Sequence, residues 1–316
     1  VGVEGVDPRP GGLGHLRGDR VPIARNRTSG SSHVHSLARQ SAGLRNRPAH
    51  GTGRSVLPVG KLLVRVAVSR GIATITLDSP ENRNALSMQL VEDLHTALDR
   101  AEQDDVRVIV LDHVAPTFCA GADLKERTAA GGNPAASSSG PNRMSMAMSR
   151  LRSAKQPTIA AVKGPARAGG IGLMASCDLV VVQPTSDFAF TEVRIGVAPA
   201  VISVPILRRV GWSAVAAPFL TGEKFDAQEA RRIGLVTHVS DDVDATVATL
   251  CEGVLRGGPI AVAATKAMLH RNTAEPFDDA LAEMSVLSDS LFASPEGQEG
   301  MRSFLEKRPP NWVNEG

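Results

Sequence analysis

Ala160-Ala161-Val162-Lys163-Gly164-Pro165-Ala166-Arg167-Ala168-Gly169-Gly170-Ile171-Gly172-Leu173 is the stretch on which the fold turns. The residues up to Val162 are short and apolar, as a buried strand requires. A glycine-rich bend follows, and the bend opens a helix. A helix start offers backbone N–H groups without intrahelical partners and the positive end of the helix dipole. Glycines let a ligand oxygen come close to that backbone. Such a place can hold an oxyanion. Twenty residues after Gly172 stands Glu192, in Phe190-Thr191-Glu192-Val193-Arg194-Ile195-Gly196. An N–H trap with one carboxylate is equipment for moving a proton beside a carbonyl.

Outward from this stretch the chain reads as α/β. Leu62–Val68 and Ile72–Leu77 flank Ser69-Arg70-Gly71, a β-hairpin signal. Ser87 is a good N-cap, and Leu90, Val91, Leu94, Ala97, Leu98 and Ala101 form a helical stripe. Further strands are expected over 106–111, 157–162 and 178–182, with the glycine-opened helix between the last two. A flexible loop is expected over 129–142. Beyond Ala200 the pattern is helical, over 200–210, 212–220, 226–233, 242–256, 259–271, 276–292 and 295–306. Strand–strand–helix units therefore recur before a helical tail.

Composition narrows the function classes. The chain has 316 residues, 42% hydrophobic and 22% charged, an ordinary globular balance. Residues 1–60 hold nine arginines against three acids, while the remainder holds 26 basic and 30 acidic residues. The Gly/Ser/Pro/Arg-rich 1–60 cannot bury enough surface to offset chain entropy, and is expected to be a disordered extension. No amphipathic stripe accompanies its arginines, so neither nucleic-acid binding nor targeting is expected of it. The remaining domains are expected at 61–255 and 256–316. Three cysteines, Cys119, Cys177 and Cys251, form neither a disulfide frame nor a metal pattern. Eight histidines lack metal-ligand spacing, so no metal is expected. No run of about 18 apolar residues predicts a membrane span. A cytoplasmic location is expected. The glycine-rich bend lacks both the P-loop ending and the dinucleotide fingerprint, which argues against nucleotide hydrolysis and NAD binding. Cys119 has no evident His partner, which argues against a thiol nucleophile.

Five segments in order resemble the motifs of the crotonase, or enoyl-CoA hydratase/isomerase, family. They are Pro80–Ser87, Phe118-Cys119-Ala120-Gly121-Ala122-Asp123-Leu124-Lys125, the stretch 160–178, the acid segment around Glu192, and Phe304-Leu305-Glu306-Lys307-Arg308-Pro309. The resemblance runs from about residue 61 to 314. It implies a spiral of ββα units with a C-terminal helical trimerisation region, and a homotrimer or a dimer of trimers. It also implies an acyl-CoA thioester substrate, with CoA arriving on the substrate and no separate cofactor. By position, the family's two oxyanion donors map onto the backbone N–H groups of Ala122 and Gly169, and its second catalytic glutamate onto Glu192. Arg83, Ala120, Asp123, Lys125, Gly170, Gly172, Phe304 and Lys307 fall in substrate-binding positions. Lys307 matches a position that reaches a neighbouring subunit's CoA. Met144 and Met148 share a helix face by i,i+4 spacing and stand as acyl-tunnel candidates, with core packing the weightier alternative. Arg167 and Arg194 are candidates to meet a substrate carboxylate, with structural salt bridges the weightier alternative. Asp178 is read as structural, and Asp187 and Glu223 as solvated charges.

The sequence departs from the family at one place. Two-glutamate hydratases carry their first acid at position 172, where this chain has Gly172. Three functions stay open: a hydratase, including one for branched or carboxylated enoyl-CoA; an enoyl-CoA isomerase using Glu192 alone; and an acyl-CoA-binding protein with little turnover. The hydratase is favoured.

Overall fold

The structure is a computed structural model. It describes residues 61–129, 142–271 and 274–313. The expected N-terminal extension and residues 130–141 of the expected loop lie outside the described residues.

The hairpin forms as its pattern predicts. β1 (Val64–Ser69) and β2 (Ile72–Leu77) pair antiparallel from Val64↔Leu77 to Ser69↔Ile72. Arg70 and Gly71 both have positive φ, +48° and +77°, the primed turn that matches strand twist. Ala73, Ile75 and Leu77 alternate inward. They meet the apolar stripe of α1 (Met88–Ala101), which Ser87 caps by accepting Leu90 N–H at 3.2 Å.

The chain then winds. β3 (Val108–His113) lies parallel to β2, and α2 (Leu124–Ala129) and α3 (Arg143–Ser153) follow. β4 (Thr158–Val162) leads directly to β5 (Ala166–Arg167) and α4 (Gly169–Ala175). β6 (Leu179–Val182) leads to β7 (Asp187–Ala189), a 3₁₀ turn over Thr191–Ile195, and α5 (Ala200–Leu207). α6 (Trp212–Thr221), β8 (Phe225–Asp226), α7 (Ala227–Arg232), β9 (His238–Val239) and α8 (Val243–Arg256) complete the core. α9 (Pro259–Leu269), α10 (Phe277–Ala293) and α11 (Pro295–Leu305) form the helical tail.

Two sheets result. The larger has the order β1-β2-β3-β4-β6-β9, and the smaller β5-β7-β8. Successive turns place one strand in each, β4 then β5, β6 then β7, which is the ββα spiral that the resemblance implies. β4 is buried along its whole length, as a central parallel strand covered on both faces must be. Val243, Val247 and Cys251 of α8 cover one face of the large sheet over Val108, Val110, Ile159, Ala161 and Val181. The opposite face joins the main core of Ile75, Leu77, Leu94, Leu98, Ile109, Leu111 and Val162.

Candidate active site

Two loops are brought together by backbone pairing. Leu86 bridges Ala122 in parallel: its N–H donates to Gly121 O at 2.8 Å, and its carbonyl accepts from Asp123 N–H at 3.5 Å. In a parallel bridge of this kind the middle residue points its own N–H to the other side. The Ala122 N–H accordingly has no partner among the described hydrogen bonds. One layer away, Cys119 bridges Ala166, and Arg167 N–H donates to Cys119 O at 2.9 Å. Ala168 follows with φ +47°, a strained conformation for a residue with a Cβ. It is fastened by its N–H to Ala189 O (3.1 Å) and by its carbonyl to Ile171 and Gly172 N–H. The strain turns the chain into α4, leaving Gly169 N–H without a described partner. Ala168 Cβ packs against Gly121, and Gly169 packs against Leu86 Cδ1. Both partnerless N–H groups therefore flank Leu86, and both residues are half-buried.

Close approach explains the glycines of α4. A Cβ added at Gly170 would lie 2.6 Å from Cys119 Cβ. At Gly172 it would lie 2.4 Å from Met148 Cε and 2.7 Å from Ile202 Cγ2. Met148 can swing its terminal methyl; Ile202, β-branched and buried on α5, cannot. The place of a first acid is thus filled by two apolar side chains. Met144 lies one helical turn before Met148 and also faces α4; a Cβ added at Gly169 would lie 3.6 Å from its Cε. The i,i+4 pair walls both ends of the glycine-rich turn. Met148 is a core side chain at 5% exposure, and Met144 is half-buried.

Glu192 stands in the 3₁₀ turn three residues beyond the end of β7, whose Ala189 holds Ala168. Its Oε2 is buried and has no hydrogen-bond partner. Burial pushes its carboxyl above the ordinary glutamate value, and a backbone hydrogen bond opposes this in part. A carboxylate with one oxygen buried and without a partner is a stronger base than a solvated glutamate, which suits proton transfer. The buried Cys119 thiol is pushed up to about 12 by desolvation, so it stays protonated.

The remaining expected residues divide. Ala120 N–H donates to Arg83 O at 3.0 Å, which ties the first two motifs together, and the Arg83 side chain is exposed. Asp123 serves the scaffold, because its Oδ1 caps α2, accepting from Lys125 N–H (3.0 Å) and Glu126 N–H (3.1 Å). Lys125 is exposed on α2. Phe304, 82% exposed on α11, and Lys307, at φ +53° just after it, make no described contact with Ala122, Gly169 or Glu192. Arg167 pairs with Asp187 and donates to Asp187 O at 2.7 Å. Arg194 pairs with Glu223 at 2.5 Å and donates to Thr221 O at 3.0 Å. Asp187, also paired with Lys224, is a partly covered ion-pair partner, while Glu223 pairs with Arg194 and stays solvated as expected, its side chain 73% exposed. Among the described residues no cluster of His, Cys, Asp or Glu is arranged to hold a metal ion.

Leu86 lies within the first quoted segment, but neither it nor Ile202 carries a chemical signal that would single it out. Leu86 ends an apolar pair before the Ser87 cap, and Ile202 lies in an apolar run. Neither is polar, and their contacts with α4 are long-range.

The geometry agrees with what comparison with known proteins finds. The family model described as enoyl-CoA hydratase/isomerase matches residues 67–315. Enoyl-CoA hydratase EchA19 of Mycobacterium tuberculosis is 32% identical over 246 residues, covering 76% of this chain and 92% of that protein. A solved enoyl-CoA hydratase from Shewanella pealeana superposes with a TM-score of 0.75 at 29% identity, covering 79% of this chain and 96% of the other. One from Mycobacterium avium is 44% identical with a TM-score of 0.59, covering 80% and 99%. With its ββα spiral and motifs in register, the chain belongs to the enoyl-CoA hydratase/isomerase family.

Proposed function

We propose that the protein is an enoyl-CoA hydratase working with a single acid, Glu192. The thioester oxygen of the substrate accepts hydrogen bonds from Ala122 and Gly169 N–H. Glu192 takes a proton from water as the water oxygen bonds to C3 of the enoyl group. Negative charge develops on the thioester oxygen, where preorganised donors are each worth roughly 3–4 kcal/mol. The protonated Glu192 then delivers its proton to C2. One water enters, and it reappears as the C3 hydroxyl and the C2 hydrogen. One carboxylate thus serves as base and then acid, and a raised pKa helps the first of these steps.

The observation that carries this proposal is the pair of partnerless N–H groups flanking Leu86. The names of the relatives, hydratases at 32% and 44% identity, support it. Arg83 and Lys125, exposed beside the first two motifs, are proposed to meet the CoA phosphates. A carboxylated acyl group would have to displace Glu223 from Arg194, because Arg167 is engaged by Asp187. We further propose a homotrimer or a dimer of trimers, in which Phe304 and Lys307 act toward a neighbouring subunit.

One observation favours a second function. Met148 and Ile202 occupy the space of the first acid, and an isomerase moving a proton between C2 and C4 needs one base and no bound water. A panel of 2-enoyl-, 3-enoyl- and 3-methylglutaconyl-CoA followed by mass spectrometry tests both. A gain of one water from a 2-enoyl-CoA is expected. A shifted double bond at constant mass would replace the hydratase with the isomerase, and binding without product would refute both.

A further inference from the structure

The buried Lys266 belongs to none of the family motifs quoted above. It sits on α9, in the helical tail, yet is only 5% exposed. Its Nζ contacts three acceptors: Leu151 O at 3.2 Å, Gln156 O at 2.9 Å and Asp178 Oδ2 at 2.9 Å. All three belong to the core. Leu151 lies in the last turn of α3, the helix carrying Met144 and Met148. Gln156 stands in the link from α3 to β4. Asp178 lies just beyond α4, the helix that Gly169 opens.

Asp178 is itself fully engaged. Oδ2 also accepts from Thr158 N–H (2.7 Å) and Thr158 Oγ1 (3.0 Å), and Oδ1 is 2.6 Å from His270 Nε2. Arg209 closes the same end of α4, donating to Cys177 O (2.5 Å) and Asp178 O (3.1 Å). One ammonium therefore joins the C-terminal ends of α3 and α4. At their other ends these helices set the distance between the methionine wall and the Gly169 N–H.

We propose that Lys266 is a positioning residue through which the C-terminal helical tail holds the oxyanion donor of α4 in register with α3. The proposal rests on the oxyanion function of Gly169 argued above. Such a residue acts on the transition state more than on substrate binding. A displacement of about 1 Å at a reacting group can cost about 10²-fold in rate.

The test compares the parent, Lys266→Met, and Lys266→Met/Asp178→Asn, the last removing both charges of the buried pair. Each is assayed for kcat and KM, for thermal melting, and for the absorption shift of a bound, slowly reacting aryl-enoyl-CoA. Hydrogen bonds to the conjugated thioester carbonyl move that absorption to longer wavelength. Expected is a folded variant whose kcat falls about 10²-fold, with KM changed less than about threefold and most of the absorption shift lost. A folded variant with parental kcat and absorption shift would overturn the proposal. So would failure of both variants to fold, which would make Lys266 a part of the folding core alone. If the parent itself produces no absorption shift, the oxyanion function of Gly169 fails instead, and the role of Lys266 falls with it.

Discussion

α4 is apolar throughout, α10 interleaves apolar residues with four acids, and the two helices meet opposite fates. Of the seven residues of α4, Gly170 to Ala175 are all buried, locked between Cys119, Met148 and Ile202. α10 runs for 17 residues and buries none, leaving Phe277, Leu281, Val286 and Phe292 exposed. The difference lies in what surrounds them. α4 is enclosed by consecutive turns of the spiral, so its neighbours come from its own chain. α10 lies beyond the winding, where α11 packs against one side of it and the other side stays open. Exposed apolar residues of this kind are what the proposed oligomer would cover. The tail still reaches the core through α9, where Lys266 and His270 meet Asp178.

The largest effect expected on the α4 side is chemical. Glu192→Gln should reduce turnover by about 10²–10⁴-fold, because it removes the only acid–base group proposed for the site. A steady-state assay showing parental turnover would remove Glu192, in the turn beyond β7, from the chemistry proposed beside α4. Next in size is packing. Gly→Ala inside a helix ordinarily gains up to about 1 kcal/mol. At Gly172 the methyl would press on the stiff Ile202, so Gly172→Ala should instead lose about 1–3 kcal/mol in urea unfolding. Gly253 of α8 faces open space and should show the ordinary gain. Equal signs at the two positions would mean that α4 is not tightly enclosed.

On the α10 side, Val286→Asp should lower the mass measured by light scattering while changing the stability of the isolated protomer by no more than about 0.5 kcal/mol. An unchanged mass would show that the Val286 side of α10 is not an interface. The smallest effect is one of linkage. The Glu192 carboxyl titrates above its unfolded value, so the protein is favoured when that group is protonated and loses this contribution as pH rises through the folded pKa. Glu192→Gln should therefore raise Tm at neutral pH, and the gain should vanish toward pH 4. A gain that grew on acidification would contradict a desolvated carboxylate.

Much of the scaffold could be read in advance. The hairpin, the Ser87-capped helix and the seven helices after Ala200 all appear within about three residues of the expected bounds, because each carries a local signal: alternation, a cap or a helical stripe. The smaller sheet was not foreseen. Its strands are two or three residues long, too short to show a period. The glycine-rich turn and Glu192 were legible as chemistry. The filling of the Gly172 site was not, since Met148 and Ile202 are 24 and 30 residues away in the chain and look like any core residues. Asp123, expected in a substrate-binding position, also caps α2, a role that only the backbone path reveals.

Residue order alone determined the family, the α/β alternation and the identity of the proposed acid, because glycines, caps and periodic apolar residues act over a few neighbouring positions. Tertiary structure decided the rest. Ala122 and Gly169 come together only because Leu86 pairs with one loop and packs on the other. Glu192 becomes a raised-pKa group only because the fold removes water from one of its oxygens. Lys266 reaches three core acceptors only because α9 folds back against α3. Burial, close approach and desolvation depend on distances in space, and those distances exist only once the winding is complete.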